Sequence, residues 1–229
     1  MHPDDLPEDL TTLLTTRFGR PWRFELTPPA RCALVVIDMQ RIFCAPGALL
    51  EVPMARQIVP AINRMATALR AAGGLVVWVR SAFPPSDRDW RIMFDGVNPA
   101  EGGARVRAGL QTGAEGWQLW DGLTPEPEDL QVEKDRFSAF LPGACPLPGL
   151  LRARGVDTVL IAGTMTNVCC ESSARDAMMD NFRVVMLSDA NAARTDAEHL
   201  ASLTTLARSF GDVQRVDAAI SLLGDNSAG

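Results

Sequence analysis

The sequence predicts an α/β fold: a six-stranded, mainly parallel sheet with helices over both faces. Three observations carry that expectation. Uninterrupted apolar runs recur along the chain, as strands buried on both faces require. Between them lie segments with apolar residues at helical spacing. Strand and helix then alternate, the order that builds βαβ units.

The first 30 residues read as an arm. Residues 9–17 have the pattern of a short helix, and Pro28-Pro29 closes the segment, since a proline disfavours helix in the residue before it. Residues 31–229 read as one domain. The run Ala33-Leu34-Val35-Val36-Ile37 is the first strand. Residues 58–70 place Ile58, Ile62, Met65, Ala66 and Leu69 at helical spacing and stop at Gly73-Gly74, a glycine C-cap. Strands follow at 75–79 and, with apolar and polar residues alternating, at 130–133. A short helix at 147–154 leads to a strand at 158–162 and a helix at 169–180, whose Met178-Met179 pair is expected in the core. A strand at 184–187, a helix at 196–210 and a weaker strand at 213–216 complete the set. Thr195 and Glu198 have the spacing of a capping box at the start of that last helix.

One segment, 82–129, breaks the rhythm. It holds two proline patches, seven glycines and three of the five tryptophans. A stretch of that length without periodicity usually carries function or covers a site.

Composition narrows the class of function. At 229 residues the chain can bury a large core without disulfides or metals. The balance of 22 Lys+Arg against 28 Asp+Glu, a net charge of −6 with no basic block, argues against nucleic acid. No run of about 18 apolar residues is present to span a membrane. The N-terminus, Met1-His2-Pro3-Asp4-Asp5, is acidic where a signal peptide is basic, and a cytoplasmic location is expected. Five cysteines without a CxxC spacing fit reduced thiols. Adjacent Cys169 and Cys170 make a poor redox pair. With only His2 and His199, histidine-based zinc chemistry is nearly excluded, and neither metal nor cofactor is expected.

Ligands of open α/β sheets bind at the carboxyl ends of the strands. That rule selects three side chains. Asp38 follows the first strand, Lys134 the third, and Cys169 ends the loop after the fourth. Lys134 is the sole lysine beside 21 arginines. Its position therefore calls for something arginine lacks, such as a compact ammonium. Cys169, near a helix start and this ammonium, is expected to have a lowered thiol pKa. Asp38 could take the thiol proton and return it to a leaving amine, while N–H groups of residues 164–169 hold the oxyanion. Cys170 competes as nucleophile, and Cys169 is favoured because it lies closer to the helix start. His199 is expected in a helix far from the strand tips. Cys32, Cys44 and Cys145 read as packing or loop residues.

The segments Val36-Ile37-Asp38-Met39-Gln40-Arg41-Ile42-Phe43, Lys134-Asp135-Arg136-Phe137-Ser138-Ala139-Phe140 and Gly163-Thr164-Met165-Thr166-Asn167-Val168-Cys169-Cys170-Glu171 resemble the isochorismatase-like cysteine hydrolases, in order and at suitable spacing. The resemblance covers about residues 33–216. It implies a Rossmann-like three-layer domain, a catalytic Asp38–Lys134–Cys169 triad and a cis peptide between Thr164 and Met165. It also implies an oxyanion hole from the N–H groups of Met165 and Cys169. Gln40, Phe43 and Asn167 are expected near the reacting carbon, and residues 82–122 are expected to select the substrate.

Arg88, Trp90, Arg91 and Trp117 could meet a substrate carboxylate or ring, though salt bridges and packing explain them equally well. The implied reaction is cleavage of a C–N bond in a small amide, ureido or carbamoyl compound through a thioester. The partner is a small molecule, and the assembly a homodimer or homotetramer. Vinyl-ether hydrolysis, or ligand binding without turnover, stays open as an alternative.

Overall fold

A computed structural model describes residues 2–3, 6–26, 28–83, 89–97 and 99–224. In chain order its main elements are α1 (Glu8–Phe18), β1 (Cys32–Ile37), α2 (Arg41–Cys44), α3 (Val59–Ala71), β2 (Leu75–Ser81), α4 (Ala100–Gly109), β3 (Leu130–Lys134) and α5 (Leu147–Ala153). They continue with β4 (Thr158–Thr164), α6 (Glu171–Met179), β5 (Arg183–Ala192), α7 (Asp196–Ser209), β6 (Asp212–Gln214) and α8 (Val216–Gly224). The strands form one sheet in the order β3-β2-β1-β4-β5-β6, and every neighbouring pair is parallel.

The apolar runs explain the layers. Along β1, Leu34 and Val36 point to one face and Ala33, Val35 and Ile37 to the other, as the two-residue strand period dictates. The first face packs against α3 and α8 through Ile62, Met65, Leu69, Val216, Ala219 and Leu223. The second packs against α5, α6 and α7 through Leu147, Leu151, Ala174, Ala177, Leu203 and Leu206. Helix α3 ends as its glycines require: Gly73 sits at φ +84°, with Gly73 N–H on the Arg70 carbonyl and Gly74 N–H on that of Leu69, both at 2.9 Å. The capping box on α7 is also formed, between Thr195 and Glu198.

Some boundaries depart from the sequence pattern. The strand expected at 213–216 ends at Gln214, because Val216 opens α8 with its N–H on Asp189 Oδ1 at 2.8 Å. The helix expected from 169 begins at Glu171, preceded by a π-type turn at Thr166–Cys170. Met178 and Met179 are not core residues. They are 41% and 65% exposed, because α6 buries only its Ser173, Ala174 and Ala177 face. The irregular segment contains α4 and a π-type turn at Ile92–Val97, which close over a satellite cluster of Ile42, Phe83, Phe94, Val106 and Leu110. Its glycines hid this order. A Cβ at Gly103 would lie 2.0 Å from the Phe94 carbonyl oxygen, so the turn and α4 pack backbone to backbone.

The N-terminal segment lies on the chain's own body. Leu10 and Leu14 pack against Ala207 of α7, and Asp212 of β6 accepts the N–H groups of Arg23 and Phe24 at 2.7–2.9 Å. Among the described residues, no helix is long and apolar enough to cross a membrane.

Candidate active site

Because all strands run the same way, the tips of β1, β2, β3 and β4 share one edge of the sheet. Strand order reverses between β1 and β4, the place where open α/β sheets leave a crevice. Two backbone features draw these tips together. Asp38 adopts φ +55°, a conformation a short polar side chain tolerates, with its N–H on Val79 O at 2.9 Å. Gly163 adopts φ +122°, and a Cβ there would lie 2.0 Å from the Ile37 carbonyl oxygen. Only glycine lets β4 pass so close to β1.

The side chains at these tips form one buried network. Lys134, the last residue of β3, donates from Nζ to Asp38 Oδ2 at 2.9 Å, Ser81 Oγ at 2.8 Å and the Arg136 carbonyl at 3.1 Å. Ser81, the last residue of β2, donates its Oγ–H and its N–H to Asp38 Oδ1, at 2.9 and 3.0 Å. Both members of the Asp38–Lys134 ion pair are fully buried. The Cys169 thiol, carried by the π-type turn, lies close enough to both for each to act on its titration. The structure thus brings together the three residues the strand-tip rule selected.

The electrostatics correct one expectation. Burial, the largest influence, and then the Asp38 carboxylate push the Cys169 thiol far above its ordinary value; Lys134 opposes them without prevailing. The resting sulfur is therefore a neutral thiol rather than a low-pKa thiolate. For Lys134, burial is again the largest influence and favours the free amine, yet Asp38 and Cys169 together hold the ammonium above the usual lysine range. Cys170 is buried among apolar neighbours, and burial raises its thiol as well.

The peptide bond between Thr164 and Met165 is cis. The Met165 carbonyl accepts the N–H groups of Val168 and Cys170 at 3.1 and 3.2 Å, folding the turn so that Met165, Val168 and Cys169 line a cavity of ≈ 290 Å³. Phe43 lines it too. Gln40 does not. Its amide donates to the carbonyls of Ser81 and Trp117 at 3.0 and 2.9 Å and accepts the Ser81 N–H at 2.8 Å, so it braces β2 instead of facing a ligand. Asn167 lies in the turn outside the cavity wall, its Oδ1 buried without a hydrogen-bond partner.

Trp90 stands behind the wall, its ring 4.7 Å from that of Phe137. Arg91 is exposed beside Asp95 at 4.0 Å, and Trp117 stacks under the Arg80 guanidinium at 3.8 Å. Arg88 lies outside the described residues.

Three residues escaped sequence reasoning. Ser81 is itself a strand-tip residue, missed because the apolar run was read as ending at 79. Arg194 lines the cavity, and among the described residues it makes no ion pair. His199 is not remote: on α7, its Nδ1 lies 2.9 Å from Thr166 Oγ1, directly behind the turn that carries Cys169. Nothing local marks a helical histidine as the neighbour of a loop some 30 residues earlier.

Comparison with known proteins agrees with this geometry. The isochorismatase domain model matches residues 32–218. The chain belongs to the isochorismatase family. Within that family, a ureidoacrylate amidohydrolase of Methylobacterium radiotolerans is 33% identical over 86% of this chain and 81% of its own. Among solved structures, a cysteine hydrolase of Pseudomonas syringae superposes with a TM-score of 0.81 at 32% identity, covering 89% of this chain and 97% of that one. The N-carbamoylsarcosine amidase of Thermoplasma acidophilum follows at TM-score 0.66 and 29% identity, over 82% and 97% of the two chains.

Proposed function

We propose that this isochorismatase-family protein is a cysteine amidohydrolase that cleaves a C–N bond in a small amide, ureido or carbamoyl substrate. The observation that carries this reading is the Cys169 thiol at a cavity wall, beside a buried carboxylate and a buried ammonium that both act on it. Two relatives named for amide and ureido substrates point the same way.

Since the resting thiol is neutral, nucleophile and base act in one step. Asp38 takes the Cys169 proton as Sγ attacks the carbonyl carbon, so no free thiolate need accumulate. The Lys134 ammonium offsets the negative charge shared by Asp38 and sulfur. N–H groups of Met165 and Cys169 receive the oxyanion. Collapse expels the amine, which leaves with the proton from Asp38, and a thioester remains. Asp38 then takes a proton from water, hydroxide attacks the thioester, and the proton returns to Sγ as the acid departs. Arg194, facing the same cavity, can meet an acidic group elsewhere on the substrate.

The test is ammonia release over a panel of amides, ureas and carbamoyl compounds, with Cys169→Ala as control. The expected result is turnover by the wild type alone and an acyl mass on Cys169 during it. Activity retained in Cys169→Ala but lost in Cys170→Ala would overturn the assignment of the nucleophile.

A further inference from the structure

The cavity in front of Cys169 is two-sided in its chemistry. Its polar side chains gather at the sheet edge, where Ser81 and Cys169 lie, with Arg194 the single formal charge among the described lining residues. The rest of the described lining is apolar. Phe83 follows β2, Met93 belongs to the π-type turn, Val106 and Leu110 come from and just after α4, and Phe43 and Leu50 pack against the same cluster.

This wall is built to stay in place. Phe83, Val106 and Leu110 are at most 8% exposed and belong to the satellite cluster, with Phe94 edge-on to Phe83 at 5.1 Å. A ureido or carboxamide group alone does not use such a surface, because it can neither hydrogen-bond to it nor cover it. Water fares no better there, since an apolar cavity offers it no partners. A cavity of about 150 Å³ with aliphatic and aromatic walls takes a benzene ring. The ≈ 290 Å³ here leaves room for a ring or branched alkyl group as well as the reacting amide.

We infer that the preferred substrates carry a ring or branched hydrocarbon body, which this satellite cluster receives while the amide or ureido carbon faces Cys169. The inference rests on the amidohydrolase reading and deepens it. A hydrocarbon body removed from water contributes to holding the reacting carbon, and larger bodies that still fit contribute more.

The experiment compares N-carbamoylglycine with N-carbamoyl-leucine and N-carbamoyl-phenylalanine, and acetamide with phenylacetamide. The acidic group is thereby constant within the first series and absent from the second. The expected result is that kcat/KM rises about tenfold or more from the smallest to the bulkiest member. Leu110→Trp, which fills the cavity, should cancel or reverse that order. A rate blind to size, or highest for glycine and acetamide, overturns the inference.

Absence of turnover in both series counts against the amidohydrolase reading and leaves the cavity to a second measurement. Calorimetric binding of phenylacetate and acetate to Cys169→Ala protein needs no chemistry and does not depend on the folding of Leu110→Trp. Tighter binding of phenylacetate supports the inference, and equal affinities sink it.

Discussion

Two ion pairs bracket the sheet, one fully buried and one with its arginine partly exposed, and they differ in a way that separates structure from chemistry. Asp129, just before β3, receives Arg70 Nε and Nη2 at 2.9 and 2.6 Å, Trp78 Nε1 at 2.7 Å and the Glu126 N–H at 2.9 Å. Its partner is a planar guanidinium whose fork matches the carboxylate, as a permanent brace requires. Asp38, at the opposite edge, is paired with an ammonium, and the same network includes a thiol that faces a cavity. The chain places arginine at 21 of its 22 basic positions and keeps its one lysine for the pair that touches a thiol. A compact donor can serve Asp38, Ser81 and the Arg136 carbonyl at once, where a fork would fill the space the thiol needs.

The sharpest break is therefore Lys134→Arg. The charge is kept, yet we expect kcat/KM to fall by roughly a thousandfold or more, in the range of lost electrostatic stabilisation at a reacting centre. Steady-state kinetics beside a thermal melt separates this from misfolding. Conserved activity would show that charge alone matters and remove the contrast between the pairs.

Asp38→Asn tests the electrostatics next, and its sign is unusual. Burial and the Asp38 carboxylate both disfavour the thiolate, whereas Lys134 favours it. Removing the carboxylate leaves burial alone against the ammonium, so the Cys169 pKa should drop. Iodoacetamide at neutral pH should then label Cys169 in the variant roughly tenfold faster for each unit of that drop, while turnover collapses. Slower labelling would mean that the carboxylate promotes the thiolate at rest.

This behaviour shows where sequence reasoning succeeds and where it stops. Apolar runs at 33–37, 75–79 and 158–162 fixed a parallel sheet, and a parallel sheet fixes which residues share an edge. Asp38, Lys134 and Cys169 were legible for that reason. The directions in which Lys134 and Cys169 are shifted were not, since burial is a sum over distant chain segments. A helix start and a lysine both argued for a low thiol pKa, and burial outweighs them. Gln40 shows the same limit: its place after β1 was legible, while the Ser81 and Trp117 carbonyls that occupy its amide were not. His199 needed the packing of α7 against the turn before it could be placed. The satellite cluster stayed hidden because glycines at 102, 103 and 109 blur the helical signal of α4.

Ser81 offers a finer cut within the active pair. Its hydroxyl accepts from Lys134 and donates to Asp38, so Ser81→Ala deletes one link and leaves the direct 2.9 Å ion pair. We expect kcat to fall by about ten- to a hundredfold, with the hydroxyl-keeping Ser81→Thr retaining most of the rate. An equal loss in both variants would reduce Ser81 to packing.

The smallest effect on activity belongs to the structural pair. Asp129→Asn should leave kcat and KM unchanged, because neither Arg70 nor Trp78 lines the cavity. Stability should drop by about 1–3 kcal/mol through the weakened Arg70 and Trp78 bonds. The pH dependence distinguishes this cause from a generic defect. Burial alone would raise the Asp129 carboxyl, but Arg70, Glu126 N–H and Trp78 outweigh it and hold the group below its ordinary value. A carboxyl with a lowered folded pKa contributes stability above its unfolded pKa and loses that contribution as pH falls through the folded one. The gap between wild type and Asp129→Asn in urea melts should thus be widest near neutrality and narrow in acid. A gap constant with pH would show that the brace acts by shape and not by charge, and the contrast with Asp38 would then reduce to the cavity and the thiol.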